Sequence, residues 1–127
     1  MKVIIAGSRD FNNYQILSQV CNFLLKDKED IEIVSGTAKG ADRLGEQYAK
    51  QHNYPLALFP ADWDKHGKKA GYIRNEEMAK YSDMLIAFWN GESKGTKHMI
   101  DLARKHGLRV EVVDYKDYEE KYLPKEK

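Results

Sequence analysis

Ile31-Glu32-Ile33-Val34-Ser35-Gly36-Thr37-Ala38-Lys39-Gly40-Ala41-Asp42 is the stretch on which the fold turns. A short apolar run enters a glycine-punctuated loop, and a helical pattern opens near Ala41. Strand, loop and helix start in that order leave backbone N–H groups free at a helix N-terminus, where the dipole places roughly half a positive charge. Such a place suits a phosphate or a carboxylate. Gly36 and Gly40 carry no Cβ and are expected to let a ligand approach the backbone. The alternative is a tight strand-to-helix turn with no ligand. The stretch is not a Walker A loop, because Gly40 is followed by Ala41-Asp42 rather than Lys-Ser or Lys-Thr, and it is not the dinucleotide GxGxxG.

On its N-terminal side, Lys2–Ala6 reads as a continuously apolar strand of the central parallel kind. A helix is expected from about Asn13 to Lys26, with Ile16, Leu17, Val20, Cys21 and Leu24 on one buried face. On its C-terminal side the pattern predicts a helix over Ala41–His52 stopped by Asn53, and a strand over Tyr54–Phe59. An irregular surface loop over Pro60–Lys69 and a helix over Ala70–Tyr81 follow, the latter burying Ile73, Met78 and Tyr81. A strand over Met84–Phe88 leads to a helix opened by Gly95-Thr96 and capped by Gly107, and the last strand is Leu108–Val113. Strands alternating with helices through short loops predict a Rossmann-like α/β three-layer sandwich: a mostly parallel five-stranded sheet with helices on both faces. Residues 1–113 form the expected domain, and 114–127 a polar tail with a short helix around Asp117–Tyr122.

In such sheets ligands bind beyond the C-terminal strand ends. Four loops leave those ends, carrying Gly7-Ser8-Arg9, Ser35–Asp42, the Trp63 segment and Trp89–Thr96. The loops on the opposite edge are short charged or Gly/Asn turns. That asymmetry places the site.

The chain has 127 residues and a formal net charge of +1, so one domain is expected and no global basic field favours nucleic acid. No apolar run is long enough for a membrane span. Cys21 is the single cysteine, which excludes an internal disulfide, fits a cytoplasmic location, and reads as a small core residue. Asp62, Asp64 and His66 alternate, but they share a side only if extended. Zinc spacing and nucleophile elbows are absent from the sequence, and neither a metal nor another cofactor is expected.

Several side chains at that edge have both a binding and a structural reading. Arg9 either clamps a phosphate or pairs with Asp42 or Asp10. Gly91, Ser93 and Gly95 form a second backbone cradle, in which Thr96 either caps the helix or meets a phosphate. Arg74 lies on one helix face with Met78, and Glu76 and Glu77 offer it ready partners on a solvated surface. Trp63 either stacks on a base or packs as a lid; for Trp89, at a strand end, packing is favoured. Asp42 either complements the helix dipole or accepts hydrogen bonds from a ribose.

Gly7-Ser8-Arg9, Ser35-Gly36…Gly40-Ala41-Asp42, Trp63…Ala70-Gly71…Arg74-Asn75…Met78 and Gly91…Ser93…Gly95-Thr96, in that order, resemble the SLOG superfamily. The closer resemblance is to its small single-domain members related to YpsA and YspA. It implies a Rossmann-like fold that binds a nucleotide or nucleotide-derived ligand as a binding or sensing module. The ligand-facing residues it implies are Gly7, Ser8, Arg9, Ser35, Gly36, Thr37, Lys39, Gly40, Asp42, Trp63, Arg74, Asn75, Gly91, Ser93, Gly95 and Thr96. The superfamily also contains LOG phosphoribohydrolases, which cleave N-glycosidic bonds of nucleotides, and the single-stranded-DNA binder DprA. Both remain alternatives. Lys65, Lys68, Lys69 and Lys94 are the only obvious basic cluster, so nucleic acid is not the expected partner. LOG enzymes carry PGGxGTxxE in the second loop. Here Thr96 matches, but Met99 stands at the glutamate's position, so LOG-like hydrolysis is not expected. LOG-type relatives are commonly dimers, which implies a homo-oligomer.

Overall fold

The structure, a computed structural model, describes residues 1–117. Its elements are β1 (Lys2–Gly7), α1 (Tyr14–Leu25), β2 (Glu32–Ser35), α2 (Ala41–Gln51), β3 (Leu56–Leu58), α3 (Trp63–His66), α4 (Ala70–Tyr81), β4 (Met84–Phe88), α5 (Lys94–Lys105) and β5 (Arg109–Val113). The strands form a five-stranded sheet in the order β3-β2-β1-β4-β5, with every neighbouring pair parallel. The chain winds from the centre to one edge, then returns through α4 to the centre and builds the other half. The direction reverses between β1 and β4, whose ends meet where Gly7 pairs with Phe88.

Side-chain alternation along β1 divides the core in two. Val3 and Ile5 pack with Ile33, Ile86, Leu17 and Tyr48 beneath α1 and α2. Ile4 and Ala6 pack with Val34, Met78 and Ile100 beneath α4 and α5. Burial on both faces is why β1 and β4 read as unbroken apolar runs. Cys21 lies fully inside the first core, and burial pushes its thiol up to about 12, as a structural cysteine requires.

Three local expectations are corrected. The strand expected over Tyr54–Phe59 contracts to Leu56–Leu58. Pro55 has no N–H to pair, and the Tyr54 N–H closes α2 by donating to the Ala49 carbonyl (2.9 Å). The loop expected over Pro60–Lys69 contains α3 and a 3-10 turn over Gly67–Lys69, because the Asp62 carboxylate accepts from the Lys65 N–H (3.1 Å) and caps the turn. On α4 the buried residues are Ala70, Asn75, Met78 and Ala79; Ile73 is half-buried and Tyr81 exposed. Tyr81 instead lies under the Lys2 ammonium (3.9 Å from its ring centroid) and donates its hydroxyl to Glu32.

Asn53 and Gly107 end their helices with φ of 56° and 77°, the left-handed stops their types favour. Beyond β5, Tyr115 turns back into the core, its ring 4.6 Å from Phe11 and its hydroxyl donating to Asp10 (2.7 Å). Residues 115–117 are helical, and the remainder of the helix expected around Asp117–Tyr122 lies outside the described residues.

Candidate functional site

The exits of β1 and β4 are tied together by Ser8. Its N–H donates to the Phe88 carbonyl (2.9 Å), and its hydroxyl accepts from the Asn90 N–H (3.1 Å). Ser8 is buried, so its side chain organises the switch point and does not face solvent. Above it opens a crevice of ≈ 100 Å³ whose wall includes Arg9, Asp42, Arg74, Gly95, Thr96 and Met99. A second depression of ≈ 130 Å³ shares Arg9, Ala38 and Arg74 with the first and continues to Thr37, Pro60 and Trp63. The two form one cleft along the C-terminal edge of the sheet.

The loop before α2 is closed on itself. Asp42 Oδ2 accepts from the Ala38 N–H (3.1 Å), and Ser35 Oγ accepts from the Thr37 N–H (3.1 Å) while donating to Glu46 Oε2 (2.7 Å). Thr37 is held at φ 65°, uncommon for a β-branched residue. The side chain of Asp42 therefore already occupies part of the cradle in which an external anion was expected. Gly36 lines the second depression, and both Gly36 and Gly40 also lie close against the protein's own groups. A Cβ on Gly36 would lie 2.8 Å from Arg74 Nη1 and 2.9 Å from Asp42 Oδ2. A Cβ on Gly40, where φ is 82°, would lie 2.7 Å from the Arg9 carbonyl oxygen. Both glycines make room for the protein's own groups. Lys39 is exposed and borders neither depression.

The N-terminus of α5 is capped by a side chain but sterically unobstructed at Gly95. Ser93 rather than Thr96 is its cap: Ser93 Oγ accepts from the Thr96 N–H (3.3 Å) and lies 3.0 Å from the Thr96 hydroxyl. Asn90 Oδ1 gathers the N–H groups of Glu92 (2.8 Å) and Ser93 (2.9 Å), and Trp89 Nε1 donates to the Ser93 carbonyl (3.0 Å), so Trp89 braces the loop. A Cβ on Gly95 would meet nothing within 4 Å. Gly91 is equally unhindered but borders neither depression.

Arg74 points inward rather than toward Glu76 or Glu77. Its guanidinium donates to the Gly36 carbonyl and, through Nε, to Asn75 Oδ1 (3.0 Å). Asn75 Nδ2 in turn contacts the Gly95 carbonyl (3.4 Å) and His98 Nδ1 (3.1 Å). Arg9 is exposed, pairs with neither Asp42 nor Asp10, and borders both depressions. Trp63 is exposed at the far end of the cleft, with its ring edge 3.6 Å from where a Gly71 Cβ would be.

Burial raises the Asp42 carboxyl to about 6, and the neighbouring Glu46 carboxylate adds to the effect; the Ala38 N–H and the Arg74 and Arg43 guanidiniums oppose it. Burial also lowers the Arg74 pKa, while Asp42 works the other way. Glu46, absent from the expected site, is nearly buried between Ser35 and Arg43 (3.1 Å). Its position one helical turn after Asp42 was the available signal. His98 was missed too, because nothing in the sequence places it beside Asn75 across the helix pair. Met99 is buried at the crevice floor and presents a thioether, which neither transfers a proton nor offsets positive charge.

An all-parallel doubly wound sheet with its cleft at the switch point is a Rossmann-like α/β domain. The chain belongs to the YspA, cpYpsA-related SLOG family (YAcAr), whose pattern matches residues 1–66. It is also similar to the Gene 61 protein of Mycobacterium phage D29, at 34% identity over 116 residues, covering 86% of this chain and 93% of the relative.

Proposed function

We propose that the cleft binds a nucleotide or nucleotide-derived ligand and that the protein serves as a binding or sensing module. The observation that carries this reading is the convergence of Arg9, Arg74 and the first turn of α5, unobstructed at Gly95, on one crevice. Two guanidiniums beside a helix dipole form an anion site, and Arg9 has no competing ion pair among the described residues. The phosphate lies at Gly95, not in the loop before α2, where Asp42 and Arg74 fill the space. Trp63, at the other end of the cleft, offers an indole face to a base. Asp42 accepts one N–H from Ala38 and borders the crevice, which suits it to a ribose hydroxyl.

Calorimetry with AMP, ADP, ADP-ribose and NAD tests the proposal. At least one binds below millimolar, and Arg9→Ala weakens it about tenfold or more, the scale of a lost charged hydrogen bond. If none binds, or if R9A binds as wild type does, the proposal fails.

A further inference from the structure

Asn75 joins three groups that lie far apart in sequence, and its amide has only one workable orientation. Arg74 Nε–H can only donate, so the atom facing it at 3.0 Å is Oδ1. The Gly95 carbonyl can only accept, so the atom facing it at 3.4 Å is Nδ2. The second Nδ2 hydrogen then points at His98 Nδ1, 3.1 Å away, which must present a lone pair. The imidazole is consequently neutral, with its proton on Nε2. Protonating Nδ1 would set donor against donor. Turning the amide to relieve that conflict would aim an N–H at Arg74 Nε, so the guanidinium would lose one of its two hydrogen-bond acceptors and keep the Gly36 carbonyl and the attraction of Asp42.

We propose that His98 is a pH-sensitive positioning residue: its neutral ring orients Asn75, Asn75 holds the Arg74 guanidinium at the crevice, and protonation of the ring releases it. The groups acting on the ring are Tyr72 and Glu76 from α4 and Asp101 from α5. Tyr72 lies with its ring centroid 4.4 Å from that of His98. The Asp101 and Glu76 carboxylates favour the charged ring but are outweighed by burial, so the His98 pKa is lowered. Both carboxylates are engaged elsewhere, Asp101 with Lys97 (2.8 Å) and Glu76 with Lys80 (3.7 Å). The relay rests on the proposed function only in giving the crevice a ligand.

The test has two readouts on the full chain, so that the relay and the ligand reading fail separately. Nuclear magnetic resonance follows the His98 ring nitrogens and the Arg74 Nε–H signal from pH 8 to pH 5. The expected result is an Nε2–H tautomer at pH 8 and an Arg74 signal that shifts with the His98 midpoint. In His98→Asn, whose Oδ1 keeps an acceptor in the place of Nδ1, that component of the Arg74 shift is absent. An Nδ1–H tautomer, or an Arg74 signal with the same response in H98N, overturns the relay. Calorimetry with AMP is then compared at pH 7.5 and pH 5.5. Wild type loses affinity about tenfold more than H98N does, the scale of a hydrogen bond to a charged group. Because Arg74 acts on the Asp42 carboxyl, the comparison is repeated in an Asp42→Asn background, which removes that titration from both proteins. Equal losses overturn the relay. If none of AMP, ADP, ADP-ribose and NAD binds at pH 7.5 the nucleotide reading fails, while the resonance data still decide the role of His98.

Discussion

Arg74 fills the space that a side chain at position 36 would need: its Nη1 lies 2.8 Å from where a Gly36 Cβ would be, and it donates to the Gly36 carbonyl. The glycine loop and α4 are therefore fitted to one another, and Gly36 serves the arginine before it serves any ligand.

Two kinds of glycine follow, and substitution separates them. Gly40→Ala places a Cβ 2.7 Å from the Arg9 carbonyl at a φ of 82°. The backbone conformation alone costs about 1–3 kcal/mol. We expect a loss of at least about 2 kcal/mol in urea denaturation. Gly95→Ala adds its Cβ to open space in the first turn of α5, so stability holds while AMP binding weakens. Equal stability losses in both variants would refute the distinction.

Asp42 should make the protein more stable as mild acid is approached. Its folded pKa, about 6, lies above the model-compound value of 3.8. Above the folded value the carboxyl is ionised in both states, and the fold carries the full burial cost. Below it the folded carboxyl takes a proton while the unfolded one stays ionised, so stability rises until the unfolded value is passed. His98, with a lowered pKa, works the other way, so the comparison is made against Asp42→Asn. From pH 7 to pH 5, wild type gains about 1 kcal/mol relative to D42N in urea denaturation. A constant difference would show that Asp42 is not held out of water.

Trp63 is 54% exposed and contributes nothing to either core. Trp63→Ala leaves the melting temperature in place but lowers nucleotide affinity by about 1–3 kcal/mol, the scale of one base stacked on an indole. Binding also quenches Trp63 fluorescence, measured against a Trp89→Phe background. Unchanged affinity in W63A would assign the ring to surface packing.

Cleavage of AMP requires a group that supports the departing base, and the crevice floor offers Met99. Glu92 is exposed and outside the cleft walls. Incubation with AMP and related monophosphates should release no free base or ribose 5-phosphate beyond a stoichiometric amount, as read by chromatography. Several turnovers per minute, abolished by Asp42→Ala, would instead make Asp42 the acid.

The alternation of apolar runs and amphipathic stripes determined the doubly wound fold, because strands buried on both faces must be apolar throughout. It also placed the loops that carry Ser8-Arg9, Gly36, Gly40 and Gly95 together, since each leaves a strand at its C-terminal end. What each residue does there depended on tertiary contacts. Ser8 and Ser35 look like ligand hydroxyls in sequence, but Ser8 accepts from the Asn90 N–H and Ser35 donates to Glu46. Gly36 and Gly40 look like open backbone but accommodate Arg74 and the Ser8–Arg9 turn. Sequence periodicity reports which face of an element is apolar, whereas a glycine or hydroxyl takes its role from whichever distant group arrives beside it. The chain from His98 through Asn75 to Arg74 and Gly36 exists because α5 and α4 meet beside the switch point, which brings His98 to Asn75 and the Arg74 guanidinium to the first glycine loop.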